Sequence, residues 1–124
     1  MKSNKYQEAD SILTLICNSI SERDTPYYVE VYKSLAINQN HLKDYQKSIH
    51  TWEYLISYLS PGHKELGDCY FGLGVSYYEL NNIEEFILQN EKARDAYALA
   101  FGRSDIKYTK TLNSLGLGYK FNGE

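Results

Sequence analysis

The sequence predicts an all-α protein, built as a right-handed superhelical stack of about six antiparallel helices. Three observations predict it: apolar residues recur at helical spacing, no segment alternates as a strand does, and one short motif occurs three times. Each helical pattern has one apolar stripe, which must be buried against a neighbouring helix. We expect helices near residues 4–21, 26–40, 43–59, 63–80, 83–101 and 105–121.

The repeated motif is a large residue, then Leu three positions later, then a small residue. It appears as YKSLAINQ at 32–39, YFGLGVSY at 70–77 and LNSLGLGY at 112–119, at offsets of 38 and 42 residues. Self-similarity of this period is typical of stacked helical repeats. The chain of 124 residues is therefore interpreted as one domain, with half repeat 1–24, repeat 25–61, repeat 62–102 and half repeat 103–124.

The first three helices are supported by apolar spacing and by their boundaries. Asp24-Thr25-Pro26 suits the start of the second helix, since proline is tolerated in a first turn. The first and third helices have stripes at i, i+3, i+4 and i+7. Their members are Ala9, Leu13, Ile16, Cys17 and Ile20 in the first, and Tyr45, Ile49, Trp52, Leu55, Ile56 and Leu59 in the third.

The last three helices are separated by turn residues. Ser60-Pro61-Gly62 precedes the fourth helix, Asn81-Asn82 precedes the fifth, and Gly102 with Ser104-Asp105 separates the fifth from the sixth. The fifth helix has a less regular stripe than the third. Its members are Ile83, Phe86, Ile87, Ala93, Tyr97 and Phe101.

Gly72 and Gly74 lie in the middle of the predicted fourth helix, within GDCYFGLGVSYYELNN, where each costs about 1 kcal/mol relative to alanine. A small residue there allows close approach of the partner helix. On this basis Ala36 should face Ser48 and Gly74 should face Phe86. Gly72 and Gly118 are not explained by this pairing, and a bend or a close neighbour is expected at each.

The pattern resembles the tetratricopeptide repeat family, whose signature is an aromatic, then Leu-Gly, then Tyr at fixed spacing. Residues 70–77 match its first half, with Tyr70 replacing Trp, and Ser48 with Trp52 match its second half. Gln39, Phe86 and Asn90 depart from it. Residues 101–119 resemble the long repeats of kinesin light chains and of the Rap and PlcR type of Gram-positive peptide-sensing, quorum-sensing regulators.

The resemblance implies a non-enzymatic protein- or peptide-binding module, with the sensor part of a bacterial peptide-responsive regulator as one form of it. The second stripe of each first helix would line a concave binding surface. The expected site is Lys33, Ile37, Asn40, Phe71, Val75, Tyr78, Asn113 and Leu117. The other interpretation is that Phe71, Val75 and Leu117 only pack against neighbouring helices.

Chaperone-binding members of the family clamp a C-terminal carboxylate with Lys and Asn one turn apart. In this chain Ile37 follows Lys33 by one turn, and Leu117 follows Asn113. The clamp is therefore not reproduced, and we do not expect chaperone C-termini to be ligands.

Charge and composition argue against several classes of protein. The net charge of −3 gives no reason to bind nucleic acid or an anionic membrane, and no apolar run is long enough to cross a bilayer. No signal peptide is recognisable, which predicts a cytoplasmic protein. In that compartment Cys17 and Cys69 are expected to be reduced thiols with packing roles.

No catalytic or cofactor-binding set is apparent, so we expect neither an enzyme nor a cofactor. Gly72-x-Gly74 follows no strand and lacks the third glycine of a dinucleotide site. His50 and Glu53 form one helical pair, which is too few ligands for a metal. An enzyme stays the competing class, and it would require His50, Glu53 or a cysteine to meet in one pocket.

The sixth helix has no second helix after it to cover its packing face. Leu112, Leu115 and Tyr119 should then be partly uncovered, and exposed apolar patches commonly mark interfaces. We expect either a homodimer through the C-terminal helix, with exchange of that helix as one form of it, or a longer solenoid of which this chain is a fragment. The alternative function is that of a structural scaffold or self-association segment of a longer helical-repeat protein.

Overall fold

A computed structural model of the protein describes residues 2–123, with side chains for residues 5–123. These residues contain six helices and no strand. The helices are α1 (Lys2–Ser19), α2 (Thr25–His41), α3 (Tyr45–Tyr58), α4 (Leu66–Glu79), α5 (Ile83–Phe101) and α6 (Ile106–Phe121). The all-α prediction is confirmed, whereas the handedness of the stack stays a prediction.

The helices pack in chain order, because the connections between them are short. Each helix contacts the next one, and α2 also contacts α4. The helices α2 and α4 therefore lie side by side, and the candidate site is built on the surface that they form together. The start of α4 comes later than predicted, because Gly62 has φ +82° and turns follow it to Leu66.

The contacts between paired helices recur at the repeat spacing. The ring of Tyr32 on α2 lies 5.1 Å from the ring of Tyr54 on α3, measured between centroids. One repeat later, the ammonium of Lys92 on α5 lies 5.8 Å from the centre of the Tyr70 ring on α4. Both members of the second pair follow those of the first by 38 residues. The two helix pairs thus meet through equivalent positions.

The small residues of the motif lie where the paired helices approach most closely. Ser48 Oγ donates a hydrogen bond of 2.8 Å to the carbonyl oxygen of Ala36, as the small-against-small expectation requires. A Cβ added at Gly74 would lie 3.0 Å from Asn90 Nδ2 and 3.7 Å from the carbonyl oxygen of Phe86. The expectation that Gly74 accommodates the Phe86 ring is wrong, since it accommodates the Asn90 amide and the α5 backbone.

The Phe86 ring instead explains Gly118. A Cβ added at Gly118 on α6 would lie 3.1 Å from the Phe86 ring and 2.8 Å from Ile87. The equivalent contact one repeat earlier joins two small residues, because Ser76 Oγ lies 3.1 Å from Ser48 Oγ. A large residue on α5 is therefore matched by a missing side chain on α6, which keeps the packing volume similar.

Gly72 is required by Trp52. A Cβ at position 72 would overlap the indole ring of Trp52, which reaches across from α3. Trp52 is buried with Ile49, Leu55 and Leu73 in the central core cluster formed by α2, α3 and α4. The glycine thus marks a close neighbour rather than a bend.

The turn after each first helix has the same backbone conformation. Lys43, Asn81 and Gly123 have φ values of 62°, 60° and 80°, at offsets equal to those of the core motif. After two of them the next backbone N–H bonds back over the turn, from Asp44 to Gln39 and from Asn82 to Tyr77, both at 2.9 Å. Each of these helices is thus followed by a residue in the left-handed conformation, which is Lys, Asn or Gly.

The sixth helix is better covered than expected. Leu115 is only 3% exposed and packs with Phe86 and Ile87, and Tyr119 is half-buried against the same cluster. The expectation that Leu115 belongs to an uncovered patch is wrong, because α5 already covers it. Leu112 does remain exposed.

A candidate binding groove between α2 and α4

A groove of about 410 Å³ lies between α2 and α4. Because these helices are adjacent, residues of the predicted binding surface on α2 and on α4 line the same groove. Five of the eight predicted site residues line it. They are Lys33, Ile37 and Asn40 from α2, and Phe71 and Val75 from α4.

The floor of the groove is apolar. Ile37 is exposed, whereas Phe71 and Val75 are half-buried, so all three present hydrocarbon surface to a ligand. Trp52 also reaches the groove, because Gly72 has no side chain to block its ring. Apolar floors with a few polar groups at the edges are typical of ligand sites.

Asn40 supplies an oriented amide at one end. Its Oδ1 accepts a hydrogen bond of 3.0 Å from Ser76 Oγ, which itself contacts Ser48. This bond holds the amide beside α4. The other atom of the amide is the one that Asn40 can offer to a backbone group in the groove.

A charged cluster forms the other end. Lys33 Nζ lies 2.8 Å from both Glu65 Oε2 and Asp68 Oδ2. Asp68 also accepts a 2.6 Å hydrogen bond from the hydroxyl of Tyr97 on α5, and Lys107 Nζ on α6 lies 3.4 Å away. Asp68 thus connects α4 to three other helices, and two cations balance two carboxylates.

The contacts within this cluster favour the charged forms of Asp68 and Lys33. Burial, the largest single influence, acts to raise the pKa of Asp68, but hydrogen bonds from Lys33 and Tyr97 and the nearby ammonium charges outweigh it and lower that pKa. Burial likewise acts to lower the pKa of Lys33, yet Asp68 and Glu65 raise it overall. Burial and the bond to Asp68 raise the pKa of Tyr97 far above its usual range. At neutral pH these pKa shifts keep Lys33 and Asp68 charged and the Tyr97 hydroxyl protonated.

A second groove of about 480 Å³ continues the first toward the start of α2. The two share Lys33 and Ile37, and Glu30 lines the second one. From Glu30 to Asn40 the helix rises by about 15 Å, at about 1.5 Å per residue. The combined channel therefore matches about four or five residues of extended peptide, at about 3.3 Å each.

Three predicted site residues lie outside this groove. The ring of Tyr78 lies 5.1 Å from Phe86 and 6.2 Å from Phe121, measured between centroids, so it packs between α4, α5 and α6. Asn113 and Leu117 are exposed on α6. Of the binding surface expected along α2, α4 and α6, the groove therefore includes only residues of α2 and α4.

The remaining reactive side chains do not form a catalytic arrangement in the described part of the chain. Cys17 and Cys69 are buried, and burial raises the pKa of Cys69 to about 12, opposite to what an attacking thiolate needs. His50 and Glu53 line neither groove. Within residues 2–123 no three His, Cys, Asp or Glu side chains meet as a metal site would require.

No family model and no curated protein matches the chain. None of the helices described between residues 2 and 123 combines the length and apolar character needed to cross a membrane.

Proposed function

We propose that the chain is a non-enzymatic binding module that holds a short, extended peptide in the α2–α4 groove. The observation that carries this is an apolar floor, built from Ile37, Phe71 and Val75, with the oriented Asn40 amide at its edge. The volume of about 410 Å³ falls in the usual range for ligand sites, about 300–1,000 Å³.

The groove chemistry specifies how a peptide would bind. An aliphatic or aromatic side chain would enter between Ile37 and Phe71, where it loses contact with water. The other atom of the Asn40 amide would hydrogen-bond to a backbone group of the peptide. Because side chains of an extended peptide alternate, the neighbouring residues would point away from the floor.

The charged end disfavours a free carboxylate as the anchor. Lys33 is already paired with Glu65 and Asp68, so a ligand carboxylate would have to displace one of them or lie next to both. Like charges placed so close are unfavourable. The proposed ligand is therefore an internal or blocked segment with apolar side chains, in contrast to the C-terminal carboxylates bound by chaperone adaptors.

The resemblance of residues 101–119 to the long tetratricopeptide repeats of peptide-sensing regulators supports the same class of ligand. Such a role would place the protein in the cytoplasm, with a short signalling peptide or a segment of another protein as its partner. The second candidate function, self-association within a scaffold, is favoured by exposed apolar residues at both ends of the fold.

Trp52 provides a direct test, since it is the single tryptophan and lines the groove. Peptides selected from a random displayed library would be titrated against the protein while tryptophan fluorescence is recorded. We expect apolar peptides to change the Trp52 emission with a saturating dependence. Ile37→Arg should abolish the change, because it places a charge on the groove floor.

The matched control is Leu99→Arg, which makes the same kind of change at an exposed aliphatic residue on α5. It should bind like the wild type. The proposal is wrong if no peptide is selected, or if selected peptides bind both variants equally and leave the Trp52 emission unchanged.

A further inference from the structure

The two ends of the fold expose large apolar side chains. On α1, Ile12 is 58% and Leu15 is 70% exposed. On α6, Leu112 is 44% exposed, and a Cβ added at Gly116 would meet nothing within 4 Å. No described residue covers either face.

The face on α6 corresponds to one that is covered in both complete repeats. Leu112 is equivalent to Tyr32 and Tyr70, which contact Tyr54 and Lys92 on the following helix. Gly116 is equivalent to Ala36 and Gly74, which also face the following helix. A helix equivalent to α3 or α5 would therefore pack against Leu112 and Gly116.

The face on α1 is the complementary one. Tyr6, Ala9 and Leu13 align with Tyr45, Ser48 and Trp52 at an offset of 39 residues, so α1 is equivalent to α3. At this offset Leu15 takes the place of Tyr54, and Ile12 takes the place of Thr51.

Both of those α3 residues contact α2. Tyr54 contacts Tyr32, and Thr51 Oγ1 donates a 2.7 Å hydrogen bond to Gln39. Ile12 and Leu15 therefore lie on the face of α1 that is equivalent to the α2-facing side of α3.

We propose that copies of this chain associate head to tail, with α6 of one copy packed on α1 of the next. The pair reproduces between copies the contact that α2 makes with α3 within one chain. Leu112 meets Leu15, and Gly116 lies against Ala9, as Tyr32 meets Tyr54 and Ala36 lies against Ser48. The partner chemistry is therefore a second copy of this chain.

The two faces differ, so the contact does not close on itself as a two-fold dimer does. A heterologous contact of this kind extends into a chain of copies or closes into a ring. The peptide groove between α2 and α4 stays accessible, because neither face includes its residues.

Sedimentation velocity over micromolar to millimolar concentrations tests the proposal. We expect the average mass of the wild type to rise with concentration beyond that of a dimer. Leu15→Glu and Leu112→Glu should each weaken association by about 100-fold or more, because each buries an unpaired carboxylate. Both positions are exposed, and circular dichroism would verify the fold. Ile12→Glu is a second variant on α1, and Leu99→Glu is the matched control that should associate like the wild type.

Mixing the two variants distinguishes the head-to-tail contact from a symmetric one. Leu15→Glu keeps an intact α6 face and Leu112→Glu keeps an intact α1 face, so an equal mixture should form a one-to-one dimer and nothing larger. A wild type that stays monomeric overturns the proposal. So does a mixture without dimers, or association that survives Leu15→Glu and Ile12→Glu but not Leu112→Glu. None of these outcomes depends on peptide binding, which the groove variants test separately.

Discussion

Gly72→Ala should destabilise the protein, although alanine is normally the better helix residue. In a helix interior this substitution stabilises by about 1 kcal/mol. Here the new Cβ would overlap the ring of Trp52, which is 3% exposed and held by the central core. Overpacking of this kind costs about 1–3 kcal/mol. Taking about 2 kcal/mol for the overlap, we expect a net loss of about 1 kcal/mol in the free energy of unfolding.

Gly116→Ala is the matched comparison, because a Cβ there would meet nothing within 4 Å. It should keep the whole gain of about 1 kcal/mol, so the two variants should differ by about 2 kcal/mol. Urea unfolding followed by circular dichroism measures both. The experiment is run at low micromolar concentration, where association through α6 contributes little.

A double variant locates the cause. Trp52→Phe shortens the ring and makes room at position 72, so Gly72→Ala should be less harmful in that background than in the wild type. If Gly72→Ala stabilises the protein as much as Gly116→Ala does, the argument that Trp52 requires a glycine is refuted.

Three further predictions concern individual side chains. Asp68→Asn should lower the free energy of unfolding by about 1–2 kcal/mol, because it loses charge-assisted hydrogen bonds from Lys33 and Tyr97. The folded-state pKa of Asp68 lies below its unfolded value, so this contribution is present above about pH 4 and is lost as the pH falls through the lowered pKa. Thermal unfolding should show the gap between the two proteins narrowing in acid, and a gap independent of pH would contradict it. Cys69, whose pKa burial raises to about 12, should react with a thiol reagent at neutral pH only on unfolding, and prompt labelling of the folded protein would contradict its burial. Leu115→Ala should cost about 2–5 kcal/mol in urea unfolding at every protein concentration, since Leu115 is core, whereas a concentration-dependent loss would indicate an interface.

Apolar spacing and turn residues were sufficient to predict the helices, and the repeat register identified five residues that line the groove. Residues one turn apart on a helix share a face whatever surrounds it, so Ile37, Phe71 and Val75 could be identified as one surface from their spacing. That α2 and α4 lie side by side follows from stacking repeats. The sequence also showed that the carboxylate clamp is not reproduced, since Ile37 follows Lys33 by one turn. In the structure Lys33 forms ion pairs with Glu65 and Asp68.

Contacts that depend on distances between helices could not be predicted. Trp52 and Tyr97 belong to second helices, and they reach the groove side only through the space left by Gly72 and through the bond to Asp68. The burial of Leu115 depends on where the Phe86 ring points, which the helical period does not determine. A glycine without an assigned neighbour was the available signal. At Gly72 it left a bend or a close neighbour open, and the structure shows that the neighbour is Trp52.

The recurring left-handed turn at Lys43, Asn81 and Gly123 makes the protein extensible. Because the same turn precedes α3 and α5, residues 44–81 form a unit of 38 residues that begins and ends in equivalent backbone geometry. A duplicate of this unit placed after Asn81 would set Ser48 of the copy against Gly74, and the last helix of the copy against α5. The second junction would reuse the α4–α5 contact, whereas the first would place α3 of the copy where α5 now lies against α4. Lengthening by duplication therefore needs no new turn and one new helix contact, and each added unit would bring another stretch of groove.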